Sequence, residues 1–214
     1  MIGVYCPTYG RPHALQPFAD NVHEVTRAEH RIVFVVEADD DASIEAARAT
    51  GETVIVNPYE ASYSNAIQAA YEHDDADWFV YANDDFWFRH GWESVVPRAA
   101  SYNHVLGLHD GSPGCAFSTI ALIRRRYIEE RSGVIDIPGR VLYPYRHNYA
   151  DTEFHATAVA RGVFLAAPDC VVEHRHPTFG HGDDDATYAR GRSGLAEDAA
   201  TFAARRHLWE EIAA

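Results

Sequence analysis

Four short apolar runs, separated by segments with helical spacing, restrict what the first half of this chain can fold into. Ile2–Cys6, Arg31–Glu37, Thr53–Val56 and Asp77–Ala82 read as strands. His13–Thr26, Ala42–Thr50 and Ser62–His73 lie between them and read as helices. In the first of these, Leu15, Phe18, Ala19, Val22 and Val25 fall on one side, the period of a helix with one buried face. Strands that alternate with helices predict a parallel sheet covered on both faces. The expected class is therefore α/β, Rossmann-like and built as a single domain.

The fourth run ends abruptly in Asn83-Asp84-Asp85. Adjacent carboxylates repel one another and lose hydration when packed, so a strand end that carries two of them calls for a bridging cation. In open α/β sheets, ligands arrive at the carboxyl ends of strands. Hard oxygen donors suit Mg²⁺ or Mn²⁺, and those ions commonly carry phosphate oxygens as well. The pattern points to a metal-assisted site for a phosphorylated small molecule, the alternative being two solvated loop acids.

The second half is less regular. Gly91–Ala100 reads as helical, His104–Leu108 as a strand, and Ala116–Ile123 as another apolar run before a helix from Arg124 to Arg131. Gly133–Asn148 is a long loop of a length that often covers a site. Asp151–Arg161 is predicted helical, with Asp151 as its N-cap and Gly162 as its stop. Val163–Ala166 and Val171–His174 read as two short strands, His176–Gly194 as a polar, glycine-rich stretch, and Leu195–Ile212 as a terminal helix. His181–Asp185 within that stretch reads as a solvated loop or a lid.

A chain of 214 residues with 47% hydrophobic content can bury a substantial core. No apolar run approaches the ~20 residues of a membrane helix, and a cytoplasmic location without membrane partners is expected. Cys6, Cys115 and Cys170 have no paired spacing, which argues against a disulfide framework. The formal net charge of −14 disfavours general binding to polyanions, and a nucleotide would need a cation or local arginines to approach. All 18 basic residues are arginine; of these, Arg124-Arg125-Arg126 reads as a helix start rather than a basic patch.

In order along residues 2–176, several motifs resemble those of GT-A-fold glycosyltransferases, particularly family-2-like members. Cys6-Pro7-Thr8-Tyr9-Gly10-Arg11-Pro12 resembles the first-strand loop that grips the nucleotide base. Val36-Glu37-Ala38-Asp39-Asp40 is similar to the second-strand acid that contacts base or ribose. Ser64-Asn65 resembles the helix start that approaches the diphosphate, with Ser64 standing where arginine is common. Asn83-Asp84-Asp85 sits at the metal motif, with Asn83 in place of the first acid. Tyr149-Ala150-Asp151-Thr152-Glu153 looks like the later acidic motif that supplies a base.

This resemblance implies a mixed, mostly parallel GT-A sheet flanked by helices. Residues 1–100 would form the nucleotide-sugar half, residues 101–180 the acceptor and catalytic half, and residues 181–214 a closing loop and helix. It implies donor contacts at Pro7, Thr8, Tyr9, Arg11, Glu37, Asp39, Ser64, Asn65, Asn83 and Asp84. Asp85, His174 and His176 are the expected metal ligands, since alternate residues of an extended segment point the same way. Asp151 is the expected base and Glu153 its competitor. Trp87, Trp92 and His109 are candidates to line an acceptor pocket.

The implied activity is transfer of sugar from a nucleotide-sugar, with UDP the expected nucleotide, in the presence of Mn²⁺ or Mg²⁺ and with inversion. The acceptor (saccharide, protein, lipid or modified nucleobase) and the oligomeric state are not legible. Alternatives are a non-catalytic nucleotide-sugar-binding module, a sugar-phosphate nucleotidyltransferase of the same fold, and a metal hydrolase built on Asp85, His174 and His176.

Overall fold

The computed structural model describes residues 1–181 and 184–213. Its centre is an eight-stranded sheet among the described residues. In chain order the strands are β1 (Ile2–Thr8), β2 (His30–Val36), β3 (Thr53–Val56), β4 (Trp78–Tyr81), β5 (Phe86–Phe88), β6 (Val105–His109), β7 (Ala121–Arg124) and β8 (Phe164–His174). The spatial order is β3-β2-β1-β4-β7-β6-β8-β5. Strands β3, β2, β1 and β4 are mutually parallel, as the alternation predicts. β7 runs antiparallel to both β4 and β6, and β8 is parallel to β6. The reversal of β7 therefore leaves the carboxyl ends of β1, β4, β6 and β8 on the same rim, and the edge strand β5 is also reversed, running antiparallel to β8. The expected α/β class, a mixed and mostly parallel sheet flanked by helices, is what the chain adopts.

Helices cover both faces, which is why the strands are apolar along their length rather than alternating. On one face Val4, Cys6, Ile32 and Phe34 pack with Leu15, Phe18 and Val22 of α1 (Leu15–Val25) and Ile44 of α2 (Asp41–Ala49). On the other, Tyr5, Val33, Phe79 and Tyr81 pack with Ile67 of α3 (Tyr63–His73), Tyr127 of α4 (Arg125–Arg131) and Phe154 of α5 (Ala150–Ala160). Val4 and Tyr5 enter different layers because successive strand side chains point to opposite faces. Burying each such large side chain contributes roughly 1.5–3 kcal/mol.

Caps fix the helix starts nearest the rim. Ser62 accepts from the Asn65 backbone N–H at 3.2 Å to open α3, and Asp40 accepts from Ser43 N–H at 3.1 Å to open α2. Asp40 also accepts from Gly10 N–H at 2.6 Å, tying the loop after β1 to the loop after β2.

Several elements differ from the sequence-based expectation. Gly91–Ala100 is a set of turns with one 3₁₀ turn at Val96–Arg98, because Pro97 removes a donor that an α-helix would need. The two strands expected at 163–166 and 171–174 form one long strand, β8, which begins at Phe164 and whose register against β6 shifts between Leu108 and His109. The terminal segment divides into α7 (Leu195–Arg205) and α8 (His207–Ala213). A short helix, α6 (Ala186–Arg192), stands where a polar loop was expected. Asp185 caps it by accepting from Thr187 and Tyr188 N–H at 2.9 and 3.0 Å. Of the anticipated 181–185 stretch, residues 182 and 183 lie outside the described residues.

Candidate active site

A cleft of about 560 Å³ opens at the shared rim. It is lined by Pro7 and Thr8 at the end of β1 and Tyr9 just after it, by Glu37 just after β2, and from the loop after β4 by Asn83, Asp84 and Asp85. Arg11, Asn65, Asp151, His174 and His176 also line it. The structure thus brings together residues separated by up to 169 positions of sequence (from Pro7 to His176), most of those expected.

The two acids differ in their surroundings. Asp84 accepts from Thr8 Oγ1 and from Arg11 Nη1, each at 2.8 Å. Burial nevertheless pushes its carboxyl above the usual range; Arg11 opposes that rise and the charge of Asp85 adds to it. Burial also acts to raise Asp85, but hydrogen bonds from His174 and Tyr188 outweigh it and hold the carboxyl below the usual range. Asp85 Oδ2 accepts from the Tyr188 hydroxyl at 2.9 Å and lies 3.3 Å from His174 Nε2. Asp85 Oδ1 is buried without a hydrogen-bond partner among the described residues.

That orphaned oxygen is the test of whether a divalent ion fits. A buried carboxylate oxygen without a donor is costly unless something positive faces it. An anionic oxygen beside an imidazole nitrogen at 3.3 Å is a donor set that one Mn²⁺- or Mg²⁺-sized ion accepts. The residues present fit the ion. His176 is placed differently, since its Nδ1 accepts from Thr178 N–H at 3.1 Å and caps a 3₁₀ turn. Its ring also packs edge-on against Tyr188, with centroids 4.4 Å apart, and against His174 at 5.2 Å.

Asp151 lies in the first turn of α5 and faces the cleft. Burial raises its carboxyl above the usual range, against bonds from the Thr152 N–H at 2.7 Å and hydroxyl at 3.2 Å. It is not the N-cap; that position is Tyr149, held in the left-handed region at φ 68°. The Tyr149 ring stacks on Phe202 of α7 at 5.0 Å, which offsets the backbone strain and aims the start of α5 at the cleft.

Six expected site residues are corrected by the geometry. Glu153 points away from the cleft and is buried, bonded to Tyr145 Oη at 2.6 Å and to Arg205 Nε at 2.9 Å. Ser64 is buried on α3, because Ser62 takes the capping position and turns the next residues into the helix. Asp39 is exposed on a turn while Asp40 does the capping. Trp92 is a core residue whose indole donates to Thr26 Oγ1 at 2.9 Å. Trp87, on β5, carries Arg175 over its ring at 4.0 Å and does not line the cleft. His109 also lies outside it, its Nδ1 accepting from Gly111 N–H at 3.0 Å.

Other cleft residues were not anticipated. Tyr188 and Arg190 come from α6, and Tyr63, His147, Asn148 and Tyr149 from around α3 and the loop before α5. Burial holds the His147 imidazole below its usual range, so it faces the cleft as a neutral ring. The bonds that dock α6 at the rim include Arg11 Nε to Asp185 Oδ2 at 2.8 Å and Thr187 Oγ1 to the Tyr9 carbonyl at 2.9 Å. In the sequence only the arginines of a Tyr-Ala-Arg-Gly-Arg run hinted at this, without a motif to place them.

A rim of strand ends, a carboxylate poised for a cation and a helix-borne acid across the cleft form a constellation suited to group transfer from a metal-bound diphosphate. The profile of glycosyl transferase family 2 matches residues 4–150. The chain belongs to that family and is a transferase. No curated protein matches it in sequence. Among solved structures, glucosyl-3-phosphoglycerate synthase from Mycobacterium tuberculosis, in complex with Mn²⁺, UDP and phosphoglyceric acid, is similar in fold at 12% identity. That superposition has a TM-score of 0.63 and covers 92% of this chain and 78% of the other. A mannosyltransferase from Pyrobaculum calidifontis, in complex with GDP-Man and Mn²⁺, is 16% identical with a TM-score of 0.63, covering 96% of this chain and 75% of the other.

Proposed function

We propose that this chain transfers a sugar from a nucleotide-sugar, with UDP the nucleotide, to an acceptor hydroxyl in a metal-dependent, inverting reaction. The observation that carries the metal dependence is the buried, unpartnered Asp85 Oδ1 beside the Asp85–His174 pair at the rim. The Mn²⁺ with UDP or GDP-Man in the two structures named above supports the donor class. In this reading residues 1–100 hold the donor, residues 101–180 the acceptor and base, and residues from 184 onward close the donor side.

Each residue has a task in that reading. Asp85 and His174 hold the ion, which when bound supplies positive charge to the departing diphosphate. Pro7, Thr8 and Tyr9 form the wall for the base, with Glu37 positioned for its polar edge or the ribose. Asp84 is held by Thr8 and Arg11 and presents its carboxylate toward ribose or sugar hydroxyls. Asp151 takes the proton from the acceptor hydroxyl as that oxygen bonds to the anomeric carbon and the bond to diphosphate breaks. A base whose affinity for protons is raised toward working pH suits that step. A cytoplasmic location is part of the proposal, supported by three free cysteines and by the lack, among the described residues, of a helix long and apolar enough to cross a membrane.

Hydrolysis of a panel of UDP- and GDP-sugars with Mn²⁺ or with EDTA tests this. Turnover is expected with Mn²⁺, and its loss on chelation and in Asp85→Ala. Thermal melts supply a second readout, because an ion that binds only the folded chain raises Tm. Mn²⁺ should raise the Tm of the wild type and leave that of Asp85→Ala unchanged. Nucleotide binding without turnover of any donor would point instead to a binding module.

A further inference from the structure

We propose that Arg190, on α6, supplies the cationic side chain that contacts the donor's diphosphate, in place of a charge at the start of α3. This rests on the nucleotide-sugar reading above. Position 64 carries serine, and that side chain is buried in α3, so the helix start brings no cation to the cleft from there.

Among the described residues, three arginines line the cleft. Arg11 is committed, since it bonds Asp84 through Nη1 and grips Asp185 through Nε and Nη2 at 2.8 and 3.0 Å. Arg146 pairs with Glu197 of α7 at 3.0 Å. Arg190 has no carboxylate within ion-pair distance among the described residues, and its guanidinium lies over the Tyr9 ring at 4.0 Å. A guanidinium stacked on an aromatic face keeps its in-plane N–H fork available, the geometry that pairs with phosphate oxygens.

Placement and field agree with that role. α6 is docked on the loop after β1 through Thr187 and Asp185, which holds Arg190 beside the tyrosine expected to meet the base. Its positive charge also reaches Glu37, where burial raises the carboxyl and Asn57 and Arg190 oppose the rise. Glu37, Asp84, Asp85 and Asp151 all line this cleft, so an incoming diphosphate needs a second cation besides the metal. Arg190 is the cleft arginine in a position to provide it.

Calorimetry of UDP and UMP binding to the full chain with Mn²⁺ tests the assignment, in the wild type, Arg190→Gln and Arg190→Lys. Loss of a charge-assisted bond should weaken UDP binding by at least about tenfold in the glutamine variant, and weaken UMP much less. The lysine variant, which keeps the charge but not the fork, should fall between the two. Melting temperatures within error of wild type would show that α6 remains docked. Undiminished UDP affinity in Arg190→Gln, or equal losses for UDP and UMP, would overturn the role of Arg190 while leaving the donor reading intact. A wild type that binds neither UDP nor GDP with Mn²⁺ would overturn both.

Discussion

Asp151 and Glu153 are two residues apart on α5, and helical geometry turns them about 200° from one another. Asp151 looks into the cleft, while Glu153 is sealed beneath it between Tyr145 and Arg205. Arg205 also bonds Asp136, at 2.7 and 3.0 Å, so Glu153 is the buried end of an ionic cluster that reaches solvent at Asp136. Replacing Asp151 with asparagine should lower kcat by roughly 10²–10⁴-fold while leaving donor affinity unchanged. A base must be deprotonated, and burial raises this carboxyl, so the acid limb of the wild-type rate profile should lie above the ordinary aspartate range near 3.9. Stopped assays across pH 4–8 check both points. Glu153→Gln should retain kcat and lose stability, and Arg205→Ala should cost about 3–5 kcal/mol in urea titrations, because it strands a buried charge. The acid pair was legible in the sequence, with Asp151 the expected base, but the burial of Glu153 was not. That burial depends on the phase at which α5 starts, which the left-handed Tyr149 sets.

Among the elements, α7 does more than close the fold. Asp198, buried on it, accepts from the backbone N–H groups of Arg146, His147 and Asn148 at 2.9, 3.1 and 2.8 Å. Those three residues all line the cleft, so one carboxylate from α7 sets the path of the loop that precedes Asp151. Burial acts to raise Asp198, but these three donors outweigh it and hold its carboxyl below the usual range. The folded form therefore binds this proton less tightly than the unfolded chain does. Its contribution is complete at neutral pH and is lost as pH falls below about 4. Asp198→Ala should cost roughly 1.5–3 kcal/mol at pH 7, and the gap from wild type should close in acid unfolding series. Acceptor KM should rise more than donor KM, since the loop and not the metal site is loosened. The strands and helices of the first half were legible because their apolar periods are clean. The break between α7 and α8 at Arg206 was not, since no glycine or proline marks it. Nor was α6, where Asp185 and a run of arginines give a cap but little apolar period.

For the molecule as a whole, the decisive arrangement is the reversed strand β7 between β4 and β6. Sequence patterns gave the parallel first half but not this reversal, because strand direction depends on how connections cross the sheet and not on residue periodicity. With β7 reversed, β1, β2, β4 and β8 all end on the cleft rim, Thr119 reaches it from just before β7, and the turns that enter β4 and β6 gather on the opposite rim. The turn at Ser101–Tyr102 is of that second kind, and Tyr102 is 64% exposed. A short glycine-serine insertion there should leave donor turnover within about twofold of wild type, as exposed turn tips tolerate added chain. The same insertion between Pro144 and Tyr145, in the cleft wall, should abolish turnover. The back of the sheet is thus the natural handle: anchored to a bead or a sensor chip through that turn, each molecule would be held with its mouth open to solution.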